Sequence, residues 1–357
     1  MRTKLGLFNL MGLRDQNTSP LSVVRTTVDM VEMAEDLGFD IAWFAEHHFT
    51  NHSICPSALL MIANCAPRTQ HIRLGSAVVA LPFHNPIRLV QEIAFVDLLT
   101  QGRLVLGLGS GYQPLEFDRF GIDPATKHDR FLEMWDIIDQ GLIGGAVAYE
   151  GRYYTVPPTT LSMRSFGIPM PDIFVASREP RIVARCVAGG HTPFVSYGYR
   201  GLSRAMETRR QLEAHWSAAG GDPATMPLGV QRLIYVTDNE ADALHAAACV
   251  RDFERAWQTL RGRDFEQHGA FVRLMPFNDE PPLGSFLDEA IIGSPETCIE
   301  LLRRDLAMLK PTHLCCMMGL TGIGRSETLA SFERFGTDVL PYVTDLLDLG
   351  AQPGRAA

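Results

Sequence analysis

The feature that most constrains the fold of this chain is a regular alternation of short apolar segments with amphipathic ones. Eight apolar segments have the length of β-strands, and they span residues 5–10, 40–46, 72–81, 103–111, 172–177, 192–198, 230–237 and 313–319. Their residues are largely apolar at successive positions, as in strands that are buried on both faces. Strands of this kind that are joined by helices indicate a parallel sheet with helices packed on both sides.

The segments between the predicted strands have the spacing and the boundaries of helices. In residues 21–39, Val24, Val28 and Val31 recur on one helical face, and Pro20 suits the first helical turn. Further helices are predicted at residues 56–68, 86–102, 128–142, 180–190, 201–219, from 240 onward, 294–309 and 326–343.

Eight strand–helix units predict a TIM (β/α)8 barrel, with an open doubly wound sheet carrying appended domains as the alternative. Barrels of about this length are routinely one domain. One insertion is predicted near 142–170, after helix 4, where residues 146–156 have the pattern of a hairpin. A second, near 263–290, precedes the last strand–helix unit. We therefore expect residues 1–357 to form a single barrel domain with two insertions.

Composition excludes several classes of partner. The formal net charge of −9 disfavours nucleic acid or an anionic membrane as the main partner. No segment approaches the length of a membrane span. The seven cysteines are scattered and form no C-x-x-C pair, which favours reduced thiols and a cytoplasmic location.

In a TIM barrel the active site lies where the strands end, so the segment "WFAEHHF" (43–49) draws attention. Glu46, His47 and His48 directly follow the second strand. Adjacent strand residues face opposite sides, so the two imidazoles do not share a metal ion as a His-x-His pair would. The sequence also contains no H-E-x-x-H motif and no carboxylate at the end of strand eight. We therefore expect no metal site.

The segment "GLGSGY" (107–112) ends the fourth strand and is rich in glycine. A dinucleotide fingerprint needs G-x-G-x-x-G leading into a helix. Tyr112 occupies the last glycine position, and residues 113–124 show no helix start. Glycines here permit a flat or phosphorylated ligand to approach the backbone, and they are equally consistent with close packing of the barrel wall.

Several motifs in the same order resemble the bacterial luciferase-like flavin monooxygenases. The resemblance runs from the first strand to the last helix and is most specific over residues 39–121. It rests on "GFDIAWFAEHHF", "IRLGSAVVALPFHNPIRLVQEIAFVDLLTQGRLVLGLGSGY", "EFDRFG" and the "CC" of the last strand. Members of this family are TIM barrels that bind FMN, or in some branches the deazaflavin F420, at the C-terminal face of the barrel.

The resemblance implies roles for three polar residues near the second and fourth strands. His47 matches the catalytic imidazole, which moves protons near neutral pH. Glu46 matches a residue that orients its surroundings, and Glu116 matches an acidic position near the site. Without the resemblance, His47 would be read as a solvated strand-end histidine and Glu116 as a loop carboxylate.

The resemblance also implies a flavin-binding set. Ala77 and Val78 match a non-prolyl cis peptide that supports the flavin ring, and Gly109 matches a position at the end of strand four. Phe8 and Tyr197 match positions beside the ring, although each is equally consistent with packing at the barrel mouth.

The phosphate end departs from the luciferase pattern. Luciferases use an arginine after strand four, where this chain has Ser110. Arg178, after strand five, restores a positive charge, and Ser177 adds a hydroxyl group. Cations are disfavoured at a helix start, so Arg178 and Arg181 at this place favour a bound anion over coincidence.

The end of strand eight departs from the family as well. Luciferases carry a glutamate where this chain has Gly319, and the loss of that carboxylate disfavours efficient light emission. The segment "MMGL" (317–320) suggests an apolar and adaptable substrate wall.

The resemblance implies a two-component flavin-dependent monooxygenase that forms a C4a-hydroperoxyflavin. Reduced FMN would come from a separate NAD(P)H:flavin reductase, and O2 would oxygenate a small apolar organic substrate. The alternatives are an F420-dependent hydride-transfer oxidoreductase and a non-catalytic flavin-binding subunit. The family also implies a homodimer, in which helices two and three form the contact.

Overall fold

Eight parallel strands form a closed barrel in the structure, a computed structural model that describes residues 2–166, 170–196 and 201–349. The strands are β1 (Thr3–Asn9), β2 (Ile41–Phe44), β3 (Arg73–Ser76), β4 (Leu104–Gly109), β5 (Asp172–Ala176), β6 (Thr192–Ser196), β7 (Gly229–Val236) and β8 (His313–Met317). Each strand pairs in parallel with the next, and β8 pairs with β1 to close the ring. The predicted TIM barrel is confirmed, and the open sheet is excluded.

Helices cover the outside of this barrel. They are α1 (Pro20–Asp36), α2 (Ala58–Cys65), α3 (Pro86–Leu99), α4 (Pro114–Phe120), α5 (Lys127–Gly144), α6 (Pro180–Gly189), α7 (Gly201–Ala218), α8 (Glu240–Thr259), α9 (Ser285–Glu289), α10 (Pro295–Leu309) and α11 (Arg325–Arg334). Several helices begin at a residue whose side chain caps the first turn. At the start of α3, for example, the Asn85 side chain accepts the Arg88 N–H at 3.1 Å. None of the helices within the described ranges is both long and apolar enough to cross a membrane.

Both predicted insertions carry their own small elements. The first contains an antiparallel hairpin of Ala146–Glu150 and Thr155–Thr160, as its pattern predicts. The second contains a two-residue hairpin of Gln267–His268 and Phe271–Val272, followed by α9. A short strand that the sequence did not predict, Ile291–Gly293, pairs with β7.

Helix α4 corrects one prediction from the sequence. No helix was expected after Tyr112, yet α4 begins at Pro114 and ends at Phe120, and Gly121 follows it with a φ of 67°. Proline is compatible with the first helical turn, and a glycine with positive φ ends helices readily. The helix is short, so its periodicity is too weak to identify it from the sequence. Its position matters because it carries Glu116.

The indole of Trp43 fills the barrel interior. Trp43 is 1% exposed and packs against Phe174 and Phe194, with ring centroids 4.8 and 5.7 Å away. Neighbouring strands leave room for it because they carry glycine there. A Cβ at Gly6 would lie 2.7 Å from the indole nitrogen, and one at Gly75 would lie 2.6 Å from Cζ3. These glycines are therefore required by the size of the tryptophan.

This packing predicts a position-specific loss of stability. We expect Gly75→Ala to lower the free energy of unfolding by about 1–3 kcal/mol, because the added methyl group overpacks the interior. Gly144→Ala is the matched control, since a Cβ at this exposed helical position meets no atom within 4 Å. The control should change stability by about 1 kcal/mol or less. Urea unfolding measures both, and equal effects would contradict the packing role of Gly75.

Candidate active site

A cavity of about 480 Å³ opens at the C-terminal rim of the barrel. Ten of the eleven residues that the resemblance assigns to catalysis and flavin binding line it. These residues are Phe8, Glu46, His47, Ala77, Val78, Gly109, Ser110, Glu116, Ser177 and Arg178. Tyr197, the eleventh of these residues, lies outside the described residues. The strand ends gather these side chains because all eight strands point the same way.

His47 has a hydrogen-bond partner for either state of its Nδ1 atom. Nδ1 lies 3.2 Å from Oε1 of Glu116 and 3.0 Å from Nε2 of Gln113. The carboxylate accepts from Nδ1 when this atom carries a proton, and the amide donates to it when it does not. Nε2 of His47 has no hydrogen-bond partner among the described residues. The imidazole is thus oriented through one nitrogen, and the other remains available to a ligand.

Glu116 connects α4 to the loop after β2. Its side chain is almost fully buried, and Oε1 also accepts the backbone N–H of His48 at 2.9 Å. One carboxylate oxygen therefore holds both the ring of His47 and the backbone of the next residue. The sequence placed Glu116 near the site only through the family resemblance, since α4 was not predicted.

Glu46 is buried on the other side of the histidine pair. Its Oε1 accepts the Ala80 N–H at 3.2 Å and contacts Nε2 of His84 at 3.0 Å. Nε2 of His48 lies 3.6 Å away. Burial alone would raise the pKa of Glu46, but the imidazoles of His48 and His84 outweigh burial and lower the pKa to about 2. Glu46 is thus an ionised anchor between β2 and the segment after β3.

His52 is a cavity residue that the sequence analysis missed. Its ring lies 5.1 Å from the ring of His47 and stacks on Phe253 at 5.7 Å with an interplanar angle of 22°. Burial, followed by the charge of His47, lowers the pKa of His52 well below its ordinary value. His52 is therefore neutral near pH 7. Its position in the same polar loop as His47 is the sequence feature that could have identified it as a site residue.

One wall of the cavity is flat and poor in side chains. The Ala77–Val78 peptide bond is cis, as the resemblance implies. Gly109 lies against it so closely that a Cβ there would overlap Cγ2 of Val78. The small residues Ala45, Ala80 and Ala176 extend this wall. A planar ring system fits such a surface, because no long side chain stands in its way.

One part of the cavity is polar and carries positive charge. Ser110, Ser177, Arg178 and His128 line it. Arg178 donates from Nη1 to Oε1 of Gln211 at 3.0 Å, which leaves its other guanidinium donors for a ligand. These donors, together with the flat wall, fit a planar ring with an anionic tail.

Arg181, by contrast, is engaged elsewhere. It donates to Glu179 at 2.6 Å and to Asp129 at 2.7 Å, and it does not line the cavity. Of the two arginines that the sequence singled out near α6, only Arg178 lines the cavity.

The opposite wall of the cavity comes from α8 and its C-terminal end. Phe253, Trp257 and Arg261 line it, and Lys127 at the start of α5 lies near Arg261. The sequence does show two large aromatic residues four positions apart on a helix. That pattern normally indicates packing against the core, so it does not identify a ligand wall without the tertiary structure.

The methionines at the end of β8 do not form the predicted substrate wall. Met317 and Met318 are 1% and 0% exposed, and neither lines the cavity. Gln231 donates to the sulfur of Met317 at 3.2 Å within the barrel, whereas Met318 packs among the residues outside it. Gly319 borders a separate cleft near α1 and α11. Residues 317 and 318 point to opposite sides of the strand, and both sides are filled.

The described parts of the chain contain no group of three or more histidine, cysteine, aspartate or glutamate side chains that is arranged to hold a metal ion.

Comparison with known proteins identifies the family. A family model described as luciferase-like monooxygenase matches residues 3–311. The uncharacterized protein y4vJ of Sinorhizobium fredii is 34% identical over 337 residues, which cover 94% of this chain and 96% of that protein. The oxygenase component of the flavin-dependent trigonelline monooxygenase of Acinetobacter baylyi is 28% identical, with coverage of 89% of each chain.

Solved structures share the barrel. One is the oxygenating constituent of 3,6-diketocamphane monooxygenase from Pseudomonas putida in complex with FMN, with a TM-score of 0.76, 18% identity and coverage of 98% of this chain and 99% of that chain. Another is the coenzyme F420-dependent tetrahydromethanopterin reductase from Methanopyrus kandleri, with a TM-score of 0.70, 18% identity and coverage of 96% and 99%. The family match spans most of the chain, and the protein is therefore an oxidoreductase of the luciferase-like monooxygenase family.

Proposed function

We propose that this protein is the oxygenase of a two-component system that uses reduced FMN and O2. One oxygen atom enters a small organic substrate with an apolar body, and the other leaves as water. The observation that carries this proposal is the free Nε2 of His47, which lies in a cavity bounded by the cis Ala77–Val78 wall. When bound, reduced FMN would supply the two electrons and would be the group that reacts with O2.

His47 is the proposed proton-transfer group. An imidazole gives and takes protons at neutral pH, and Nε2 is the ring atom that a ligand can reach. Glu116 and Gln113 keep the ring in place through Nδ1 in both of its states. Glu46 acts as a positioning residue, because it holds the histidine loop against the segment that follows the cis peptide.

The chain also supplies a phosphate subsite and a ring pocket. Ser110, Ser177 and Arg178 would hold the FMN phosphate, and the ring would lie against the cis peptide, where Gly109 leaves room for Val78 that a side chain would take. Phe8 and Phe194 both line the cavity and stack on each other with ring centroids 6.3 Å apart. Their apolar rings limit the access of water to the reacting centre.

A separate NAD(P)H:flavin reductase is the proposed partner. The Acinetobacter baylyi relative is named as an oxygenase component, which supports delivery of a flavin that is reduced elsewhere. The seven cysteines are all buried free thiols, which supports a reducing, cytoplasmic compartment.

The protein is further proposed to form a homodimer through α2 and α3. Leu60 on α2 is 69% exposed, and Phe95, Leu98 and Leu99 on α3 are exposed as well. The two helices are in contact with each other, and in the proposed dimer these side chains together form the apolar surface. Such a face on a globular protein indicates a protein contact.

Replacement of His47 tests the proton-transfer role. We expect His47→Ala to reduce substrate oxygenation by about 100-fold or more, because a positioned acid–base group is lost. FMN affinity should stay unchanged, since the imidazole does not hold the phosphate. His71→Ala is the control, because His71 is exposed and precedes β3 at the opposite rim. Oxygenation with a reductase, NADPH and a substrate panel is compared with flavin titration, and full activity of His47→Ala would refute the role.

Replacement of Arg178 tests the phosphate subsite and the choice of cofactor. We expect Arg178→Gln to weaken FMN binding about tenfold, as loss of a charge-assisted hydrogen bond does. Riboflavin, which lacks the phosphate, should bind both proteins equally. Flavin fluorescence titrations measure the two ligands. Equal weakening of both would assign Arg178 to the ring, and preferential binding of F420 by the wild-type protein would replace FMN as the cofactor.

Charge placed on the apolar face tests the dimer. We expect the wild-type protein to sediment as a dimer and Phe95→Glu to sediment as a monomer, because a carboxylate would be buried in the contact. Met308→Glu is the control, since Met308 is equally exposed but lies on α10. Analytical ultracentrifugation distinguishes the species. A monomeric wild-type protein at micromolar concentration would contradict the proposed dimer.

A further inference from the structure

A row of side chains at α8 forms a wall of the cavity that the flavin proposal leaves without a role. Phe253 and Trp257 are four residues apart, so they lie on one face of α8 about 6 Å apart along its axis. Arg261 follows just beyond the end of the helix, with its guanidinium 4.4 Å from the centre of the Trp257 ring. All three residues line the cavity.

This row begins beside the proposed catalytic imidazole. Phe253 stacks on His52, and His52 lies 5.1 Å from His47, ring centroid to ring centroid. A ligand that rests on Phe253 therefore has its inner end near His47. Its outer end lies near Arg261, because Arg261 is exposed to solvent whereas Phe253 and Trp257 are half-buried. The row therefore suits a ligand that has an apolar body and, at its outer end, a group that interacts with Arg261.

The outer end of the row carries two cations that have no carboxylate partner among the residues that the structure describes. The Arg261 guanidinium contacts the Trp257 ring, but neither it nor the Lys127 ammonium has a side-chain hydrogen bond or an ion pair with any described residue. Burial, followed by the charge of Arg261, lowers the pKa of Lys127. Two like charges that face one cavity repel each other, and an anionic ligand group relieves this repulsion.

The flavin phosphate is the alternative anionic ligand for Lys127 and Arg261. The proposed phosphate subsite lies at the ends of β4 and β5, where Ser110, Ser177 and Arg178 provide donors. Arg261 instead belongs to the wall that leads through Phe253 and His52 to His47. Trp257 fixes the guanidinium at that wall through a cation–π contact. Because Arg261 is linked to His47 through this wall, a role of Arg261 in substrate binding is favoured over a role in cofactor binding.

We propose that the substrate is a flat organic anion whose ring rests on Phe253 and whose carboxylate pairs with Arg261 and Lys127. This inference rests on the proposed oxygenase function, and it names the substrate class for the same site. Phe253 provides the apolar contact, Trp257 positions Arg261, and the reacting edge of the ring faces His47. Arg261 suits this role because a guanidinium binds a carboxylate through two parallel hydrogen bonds.

Paired probes test the anion preference. 2-Naphthoate and 2-naphthamide share a flat ring and differ in charge, and calorimetry measures their affinity for the FMN-loaded and the flavin-free protein. We expect the carboxylate to bind about tenfold more tightly than the amide. Equal affinity of the two probes would overturn the proposal. FMN affinity is measured separately, so a protein that prefers naphthoate but does not bind FMN would refute the oxygenase function and leave the anion site in place.

Variants assign the preference to residues. Arg261→Gln should remove most of the preference for naphthoate, and Lys127→Gln should reduce it, while FMN affinity stays within about twofold of the wild type. Arg263→Gln is the matched control, because Arg263 is exposed, lies two residues away and does not line the cavity. Phe253→Leu should weaken both probes by the same factor.

Two outcomes of the variant series would contradict the assignment. If Arg261→Gln weakens FMN as much as Arg178→Gln does, the outer cations belong to the cofactor. If Arg263→Gln lowers the naphthoate preference as much as Arg261→Gln does, general surface charge explains the preference.

Discussion

The contact between the Trp43 indole and the glycine backbones beside it is the constraint on which the rest of the structure depends. The ring occupies the barrel interior only because Gly6 and Gly75 present no side chain to it. Phe194 packs on the indole with one side and lines the cavity with another. The position of Phe194 in the cavity lining therefore depends on the close packing of Trp43 beneath it.

Two buried carboxylates then arrange the polar groups above this floor. Glu116 holds His47 and the following backbone from α4, and Glu46 holds His84 and the backbone of Ala80 from the end of β2. Each connects segments that are far apart in the chain. The histidine loop is thus fixed from two sides before any ligand arrives, which is the arrangement that proton transfer at a defined atom requires.

The charged groups of the cavity are divided between two signs. Arg178, Lys127 and Arg261 line it, and so do the carboxylates of Glu46, Glu116 and Glu179. In a chain with a formal net charge of −9, an anionic ligand is therefore attracted to the particular places where these cations lie and not to the surface as a whole. The positions of the cations, near the ends of β4 and β5 and beside α8, suit two anionic groups, one on a cofactor and one on a substrate.

The sequence by itself determined the barrel and most of its rim. Apolar runs of strand length mark β1 to β8, and residues that follow such runs, such as His47 and Ser177, meet at one edge because parallel strands end together. Only the tertiary structure decided which side chains face the cavity. Met317 and Met318 are apolar and end a strand, but both are packed away, whereas Phe253 and Trp257 resemble core residues of a helix and line the site. Which way a side chain points depends on contacts between segments that are distant in the sequence, and those contacts cannot be read from local periodicity.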